Sequence, residues 1–334
     1  MAREVKMADG SVEILNDHFQ KLVDSDARLN DSDGLFFQRQ LEVIEQTTYD
    51  VLYPDLEARD CFPTLTLGGA GATSLTYRSY DRIGKAQVIN ARATDLPKSD
   101  ISGREYSINV KSVGCAYDYD IDEVASAQMS GMPLEARKAM AARRGYEEFI
   151  NTAIWYGDST GSFNGFFNPI NNIAHNPVVA GASTNTEWAD KTPDEILHDL
   201  NFACGAMYAA TKKIHRPTEI WLPVAQWNYI NSTPRSSLSD TTILKYFTQN
   251  NSFNITTIKP LNAIEGMGDG GSECFVVLTK TTPEGTQTIR IREPLPLQFM
   301  PVQLHGLVYE IPGRGRFAGL EVTYPRAIDI WYGI

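Results

Sequence analysis

The stretch FINTAIWYGDSTGSFNGFF, residues 149–167, sets Ser159 between an aspartate and a Thr-Gly pair. A serine nucleophile needs a base within hydrogen-bond reach and usually a third group to orient that base. The hydrolase elbow carries its serine as GxSxG on a turn that follows a strand. Here the register is GDSTG, and the preceding residues have the periodicity of a long helix. None of the five histidines, His18, His175, His198, His215 and His305, sits in a catalytic context. Gly157, Asp158, Ser159 and Gly161 are therefore read as the turn that ends a helix and leads the chain into a new domain.

Two other stretches fail similar tests. LGGAGATS, 67–74, lacks the Lys-Ser/Thr of a phosphate loop and the third glycine of a dinucleotide fingerprint, so it reads as a turn. DYDIDE gathers Asp118, Asp120, Asp122 and Glu123 but lacks the glycine and distal glutamate of a calcium loop, and helix capping accounts for these acids. The histidines have no metal-ligand spacing. No metal or cofactor is expected. Cys61, Cys115, Cys204 and Cys274 are scattered, which suits reduced thiols made in a cytoplasm.

Composition narrows the function. A net charge of −11, from 41 acids and 30 bases, argues against a broad basic surface that grips nucleic acid. An acidic wall that merely surrounds nucleic acid remains compatible. No apolar run reaches the roughly 20 residues of a membrane span, and the first residues lack a secretion signal.

The elements that would position any site follow in order. Residues 1–48 are polar, with apolar pairs such as Ile14/Leu15 and Phe36/Phe37 between Asp-rich stretches, and read as an arm that orders against something else. A short helix fits 35–49 equally with a disordered tail. LYPDLEARDCFPTL reads as extended or turning chain. Strands are expected over 73–89 and 104–121, joined by a polar tip into a hairpin. That hairpin concentrates Arg78, Arg82, Lys85, Arg92, Lys98 and Arg104 in an acidic protein, which points to docking on an acidic neighbour. A two-stranded ribbon is marginal alone in water and should rest on another subunit.

Asp120 or Asp122 can cap a helix beginning IDEVASAQMSG. The longest helix is expected over 133–156, with Met140, Ala142, Tyr146, Phe149, Ile150, Ala153 and Ile154 as its apolar stripe. Gly145 inside it is either a soft point or a close core contact. Pro193, Asp194 and Glu195 start a second amphipathic helix, and strands divided by Gly- and Pro-rich turns complete a mixed α+β domain.

This order of parts resembles the major capsid protein of tailed bacteriophages, the Hong Kong 97-like fold shared with encapsulins. The residues that carry the resemblance are VGCAYDYDIDEVASAQMSGMPLEARKAMAARRGYEEFINTAIWYGDSTGSFNGFFN, 113–168, which look like that family's strand, spine helix and exit turn. The resemblance implies an N-terminal arm (1–50), a peripheral domain (51–78 and 108–158, spine helix 133–156) and an extended loop (79–107). An axial domain (159–300) and C-terminal strands shared between the two domains (301–334) would follow.

It further implies a structural protein rather than an enzyme, self-assembling into hexamers and pentamers of an icosahedral head. The head would enclose double-stranded DNA without reading its sequence, be assembled in the host cytoplasm and touch no membrane. Decoration, portal and scaffolding proteins are implied as further partners. The inter-subunit contact candidates are Arg82, Lys85, Arg92, Lys98, Arg104, Phe36 and Phe37. Some members crosslink subunits through a loop lysine, and Lys85 and Lys98 lie in the matching region, but no acid catalyst or partner asparagine is identifiable. The chain opens at a methionine without a long helical prefix, so a scaffolding segment is expected to be absent, removed or separately encoded. The alternatives are an encapsulin-like compartment around a cargo enzyme and, remotely, a serine hydrolase using Ser159.

Overall fold

The structure is a computed structural model. It describes residues 53–334 apart from 89–95, 97, 131–133, 237, 239 and 256, together with two short strands nearer the N-terminus. The chain divides into two compact units, Met1–Pro54 and Asp55–Ile334. In the first, β1 (Arg3–Lys6) and β2 (Val12–Leu15) form an antiparallel hairpin that the reading of a plain arm did not anticipate. The helix expected at 35–49 lies outside the described residues.

The second unit begins with α1 (Ala58–Cys61), where turning chain was expected. This single turn exists because tertiary partners hold it. Asn151 Oδ1 accepts from the Ala58 amide at 3.0 Å, and Arg59 reaches both Glu147 and Glu293. After β3 (Thr64–Leu65), the strands β4 (Ser74–Ile83) and β5 (Asp100–Asn109) pair antiparallel over ten residue pairs, Ser74↔Asn109 to Ile83↔Asp100. The single strand expected over 104–121 is two, broken at the buried Val110, whose amide donates to the Thr73 carbonyl. β6 (Lys111–Asp120) leaves the ribbon and pairs instead with β14 (Val308–Phe317), Val308↔Asp120 to Phe317↔Lys111.

Two helices follow. In α2 (Ile121–Ser130) the Asp120 carboxylate accepts from the Ile121 amide at 2.8 Å, and Glu123 accepts from the Asp120 amide at 3.3 Å. The acids of DYDIDE thus satisfy amides that a helix start leaves unpaired. α3 (Leu134–Trp155) buries Tyr146, Ile150, Ala153, Ile154 and Trp155. Met140 and Phe149, assigned to its core stripe by spacing, are instead 64% and 36% exposed. The periodicity locates an apolar face but not which molecule covers it.

The largest sheet has the order β7-β16-β10-β8-β9, formed by β7 (Ala174–Pro177), β8 (Glu219–Leu222), β9 (Thr257–Pro260), β10 (Cys274–Leu278) and β16 (Ile328–Tyr332). Alternation along its central strands feeds two cores. Cys274, Val276, Leu278, Ile328 and Ile330 join Trp221 and the C-terminal half of α3. Phe275, Val277, Ile220, Leu222 and Trp331 face the other way, onto α4 (Pro193–Ala210), α5 (Val224–Ser232) and α6 (Ile243–Asn250). Strands buried on both faces read as continuous apolar runs such as CFVVL. α4 starts as its sequence requires: Pro193 opens the first turn, and Thr192 and Glu195 form a capping box.

Two smaller sheets connect this body to the ribbon. β11 (Ile289–Arg292) lies between β15 (Gly319–Val322) and β3. β14 holds β6 along one edge, with β12 (Leu295–Phe299) and β13 (Gln303–His305) end to end along the other. The stretch TIRIREPLPLQFMPVQ divides between β11 and β12.

Asp329 sits in β16 with its side chain among these buried residues, and no hydrogen bond reaches its carboxylate among the described residues. Burial pushes its pKa up to about 6. The folded state then holds a proton that the unfolded state has lost, so this group's penalty grows as pH rises from about 4 to 6. Asp329→Asn is expected to stabilise the subunit by on the order of 2–3 kcal/mol at pH 7.5. Urea denaturation at pH 7.5 and at pH 4.5 checks this, since the advantage should shrink at the lower pH.

Candidate functional site

The sequence points to surfaces rather than a catalytic pocket, and the β4–β5 ribbon is the most conspicuous of them. No residue of either strand is fully buried. Along its length Tyr77 and Tyr106 stack across the strands with ring centroids 5.1 Å apart, and the Tyr80 ring covers Gly103. Tyr80, Ile83 and Ile101 stand in solvent at 58–65% exposure. Neither core contains a side chain from residues 74–109. The ribbon therefore takes nothing from the subunit interior beyond its root, and its apolar tips remain uncovered in the isolated chain.

The basic residues expected to make contacts are divided by the structure. Arg82 and Arg104 lie on the ribbon, in β4 and β5, while Lys85 and Lys98 flank its tip, and all four are exposed. None of the four forms an ion pair among the described residues. Arg78 pairs with Glu105 at 2.7 Å in solvent, which contributes little stability. Arg92, Phe36 and Phe37 lie outside the described residues.

The turn at Ser159 is built for close backbone approach. Gly157 has φ +79°, the left-handed region that ends a helix. A Cβ there would lie 2.7 Å from the Phe163 carbonyl oxygen, and one at Gly165 would overlap the Gly157 amide nitrogen. Asp158 and Phe163 exchange backbone hydrogen bonds at 3.1 and 2.9 Å, and the Asp158 carboxylate accepts from the Gly161 amide at 2.6 Å. Phe163 and Phe166 are thereby folded back into the core beneath α3. The Ser159 side chain is exposed and has no hydrogen-bond partner among the described residues. His175, the nearest histidine in sequence, pairs with Asp269 at 3.1 Å.

Gly145, midway along α3, meets nothing within 4 Å where a Cβ would stand, so no close contact within the subunit requires glycine there. Gly145→Ala should stabilise the isolated subunit by about 0.5–1 kcal/mol, measurable in urea. A loss of stability would show that the helix needs glycine for some other reason.

Three features escaped the sequence. Glu321 of β15 is gripped by Arg290, at 2.8 Å, and by Arg292 of β11. Burial alone would raise the Glu321 carboxyl, but hydrogen bonds and charge from Arg292 and Arg290 outweigh it and hold the pKa below the usual range. Arg59 ties α1 to α3 and to the buried Glu293, at 2.6 and 2.8 Å. Lys191 and Asp199 form an almost fully buried pair at 2.6 Å. The alternation of Ile289-Arg290-Ile291-Arg292 was the available signal for the first of these, since arginines at that spacing share one strand face. Burial also pushes the thiols of Cys61, Cys204 and Cys274 up to about 12, which keeps them from ionising to reactive thiolates. No cluster of His, Cys, Asp and Glu among the described residues could hold a metal ion.

The profile of the family described as Major capsid protein matches residues 84–334. The chain belongs to the major capsid protein family. Its fold is that of phage capsid proteins, the Hong Kong 97-like α+β fold. The capsid of Myoviridae phage XM1 superimposes with a TM-score of 0.73 at 19% identity, covering 90% of this chain and 100% of that one. The capsid of a native GTA particle gives 0.62 at 11%, covering 91% and 99%, and a chain from Mycobacterium phage Bobi gives 0.58 at 14%, covering 87% and 94%. No curated protein matches. Both family and fold are those of structural proteins, and in this capsid protein the glycine turn at Ser159 shapes the end of the long helix.

Proposed function

We propose that the protein is the shell-forming subunit of a tailed-bacteriophage head, assembling with itself into hexamers and pentamers that enclose double-stranded DNA. The observation that carries this reading is the ten-pair ribbon, exposed on both faces, tipped with apolar side chains and with cations that form no ion pair among the described residues, in a member of a capsid family. Such a ribbon gains stability only from a neighbour. Contacts that join unlike surfaces of identical copies close into rings, and many weak ones together hold each copy firmly.

On this reading residues 1–50 are the arm, 79–107 the extended loop, 51–78 with 108–158 the peripheral domain, and 159–300 the axial domain. Residues 301–334 return between the last two. That assignment draws support from β14 pairing with β6 and β16 lying inside the sheet that follows α3. The loop cations Arg82, Lys85, Arg92, Lys98 and Arg104, with Phe36 and Phe37 of the arm, are the proposed contacts. A net charge of −11 keeps the wall from binding DNA tightly, so containment is geometric. Among the described residues no helix is long and apolar enough to cross a membrane.

Electron microscopy of the purified protein tests the proposal. Closed shells with six-fold and five-fold clusters are expected. A discrete monomer at high concentration would overturn it, and particles filled with a protein cargo instead of DNA would favour an enzyme compartment.

A further inference from the structure

A cleft of 550 Å³ lies where β7, β8 and β16 begin, lined by Asn172, His215, Thr323, Tyr324, Pro325 and Arg326. Its volume is in the range that ordinarily holds a small ligand. Two of its walls are tied together through Thr279, just past the end of β10. The Thr279 hydroxyl donates to the Arg216 carbonyl at 2.8 Å, and its amide donates to the Ala327 carbonyl at 2.9 Å. The wall that carries His215 leaves α4 in a tight turn, with Lys212 and Lys213 at φ +51° and +71°. The Lys213 amide donates to the Tyr208 carbonyl at 2.8 Å, and the His215 amide to Thr211 Oγ1 at 3.3 Å, which fixes that turn. The tilted rings of His215 and Tyr324, 5.6 Å apart, close one side. The cleft is thus formed before any ligand arrives, which spares binding the cost of ordering it.

Every polar side chain that lines it can donate a hydrogen bond, and no carboxylate does so among the described residues. Arg326 is exposed and forms no ion pair among the described residues. The same holds for Lys212 and Lys213, on the segment that carries His215. Beneath the root of the ribbon an adjoining groove of 340 Å³ shares Asn172 and Pro325 and carries Glu321, whose carboxylate is already gripped by Arg290 and Arg292. His215 adds the second observation. It is only 7% exposed, its buried Nδ1 has no hydrogen-bond partner, and burial pushes its pKa below the usual histidine range. The ring is therefore neutral at pH 7 and carries one N–H. Orphaned buried N–H groups are rarer than under-satisfied acceptors, which puts the proton on Nε2 and leaves that atom as the donor His215 can offer.

We propose that this cleft binds a phosphate group, with Arg326 supplying charge and His215 Nε2, Asn172 and Thr323 donating to the phosphate oxygens. A set made only of donors suits an oxyanion with several acceptor oxygens better than a carboxylate with two. Phosphate reaches such a site as the free ion or within a nucleic-acid backbone, which is held by the same side-chain types.

Isothermal titration calorimetry on the full chain in unassembled form tests this, with inorganic phosphate, a short DNA duplex and acetate as separate probes at low salt. Phosphate is expected to bind, and acetate at the same concentration is not. Arg326→Gln and His215→Phe should each weaken phosphate binding about tenfold, the size of one hydrogen bond to a charged group. Arg326 stands on the surface, so its substitution reads binding without disturbing the core. Lys245→Gln, exposed on α6, should leave the affinity within about twofold. A duplex whose binding falls with the same two substitutions and is displaced by phosphate identifies the source as nucleic acid. A duplex that ignores the site identifies it as the free ion. Absence of phosphate binding, equal binding of acetate, or binding that survives both substitutions would overturn the proposal. None of these results bears on shell formation, which electron microscopy judges separately.

Discussion

Replacing residues 84–99 by Asn-Gly is expected to give a subunit that folds normally and no longer assembles. Ile83 and Asp100 are the last pair of the ribbon, and a two-residue Asn-Gly loop closes such a pair in the turn type that suits the strand twist. Both cores are built without residues 74–109, so the stability of the subunit in urea should change by less than about 0.5 kcal/mol. What disappears is the tip, with Lys85 and Lys98 and the chain that carries them out to a neighbour. Sedimentation and electron microscopy should then find compact subunits or small oligomers where the unaltered protein gives shells. Particles of normal yield and stability from this variant would refute the extended-loop assignment. A variant that unfolds would show that the ribbon supports the subunit itself.

Glu321→Ala should be the most damaging single change to the subunit. The carboxylate is almost fully buried between Arg290 and Arg292, and removing it leaves Arg292, 5% exposed, with an uncompensated charge. Breaking a buried pair in this way typically costs about 3–5 kcal/mol. Urea denaturation of dissociated subunits at neutral pH is the measurement, and a loss below about 1 kcal/mol would mean that water already screens the cluster. The pH dependence has a definite sign. Because the folded-state pKa of Glu321 is held below its ordinary value of 4.5, its contribution is complete above about pH 4.5 and fades as pH falls through the lower folded value. Asp329 acts in the opposite direction over the neighbouring interval, so Glu321→Ala and Asp329→Asn should reshape the acid limb of the stability profile in opposite senses.

Much of the architecture could be read from local signals. α4 announces itself through Thr192, Pro193 and Glu195, whose capping chemistry needs no distant partner. α3 shows an unbroken 3.6-residue period, and its end is written in Gly157. The failures share one cause, dependence on residues far away in the chain. REYSINVKSVGCAYDYD alternates throughout, and nothing local says that its partner changes at Val110 from β4 to β14, some two hundred residues downstream. α1 is four residues long and exists through Asn151, Glu147 and Glu293. Met140 and Phe149 keep the spacing of a core stripe, but in the isolated subunit that part of the stripe faces solvent. Among the surfaces, the excess of cations on the hairpin was legible as composition. The groove beneath its root was not, since it arises only where the ribbon, β15 and the segment around Asn172 converge.

The position of β16 has a consequence for synthesis. This strand, residues 328–332, lies between β7 and β10 and contributes to both cores, while β14, residues 308–317, is the strand that pairs with β6 among the described residues. A nascent chain therefore cannot complete the β6–β14 sheet until translation has passed residue 317, nor the largest sheet until it has passed residue 332. Closure then demands pairings across long loops, which makes it slow. During that interval the ribbon has no finished body behind it, so half-made chains on a polysome are poorly equipped to dock on finished ones. On the shell reading proposed above, the late arrival of β16 would delay assembly until the sheet that contains it has closed.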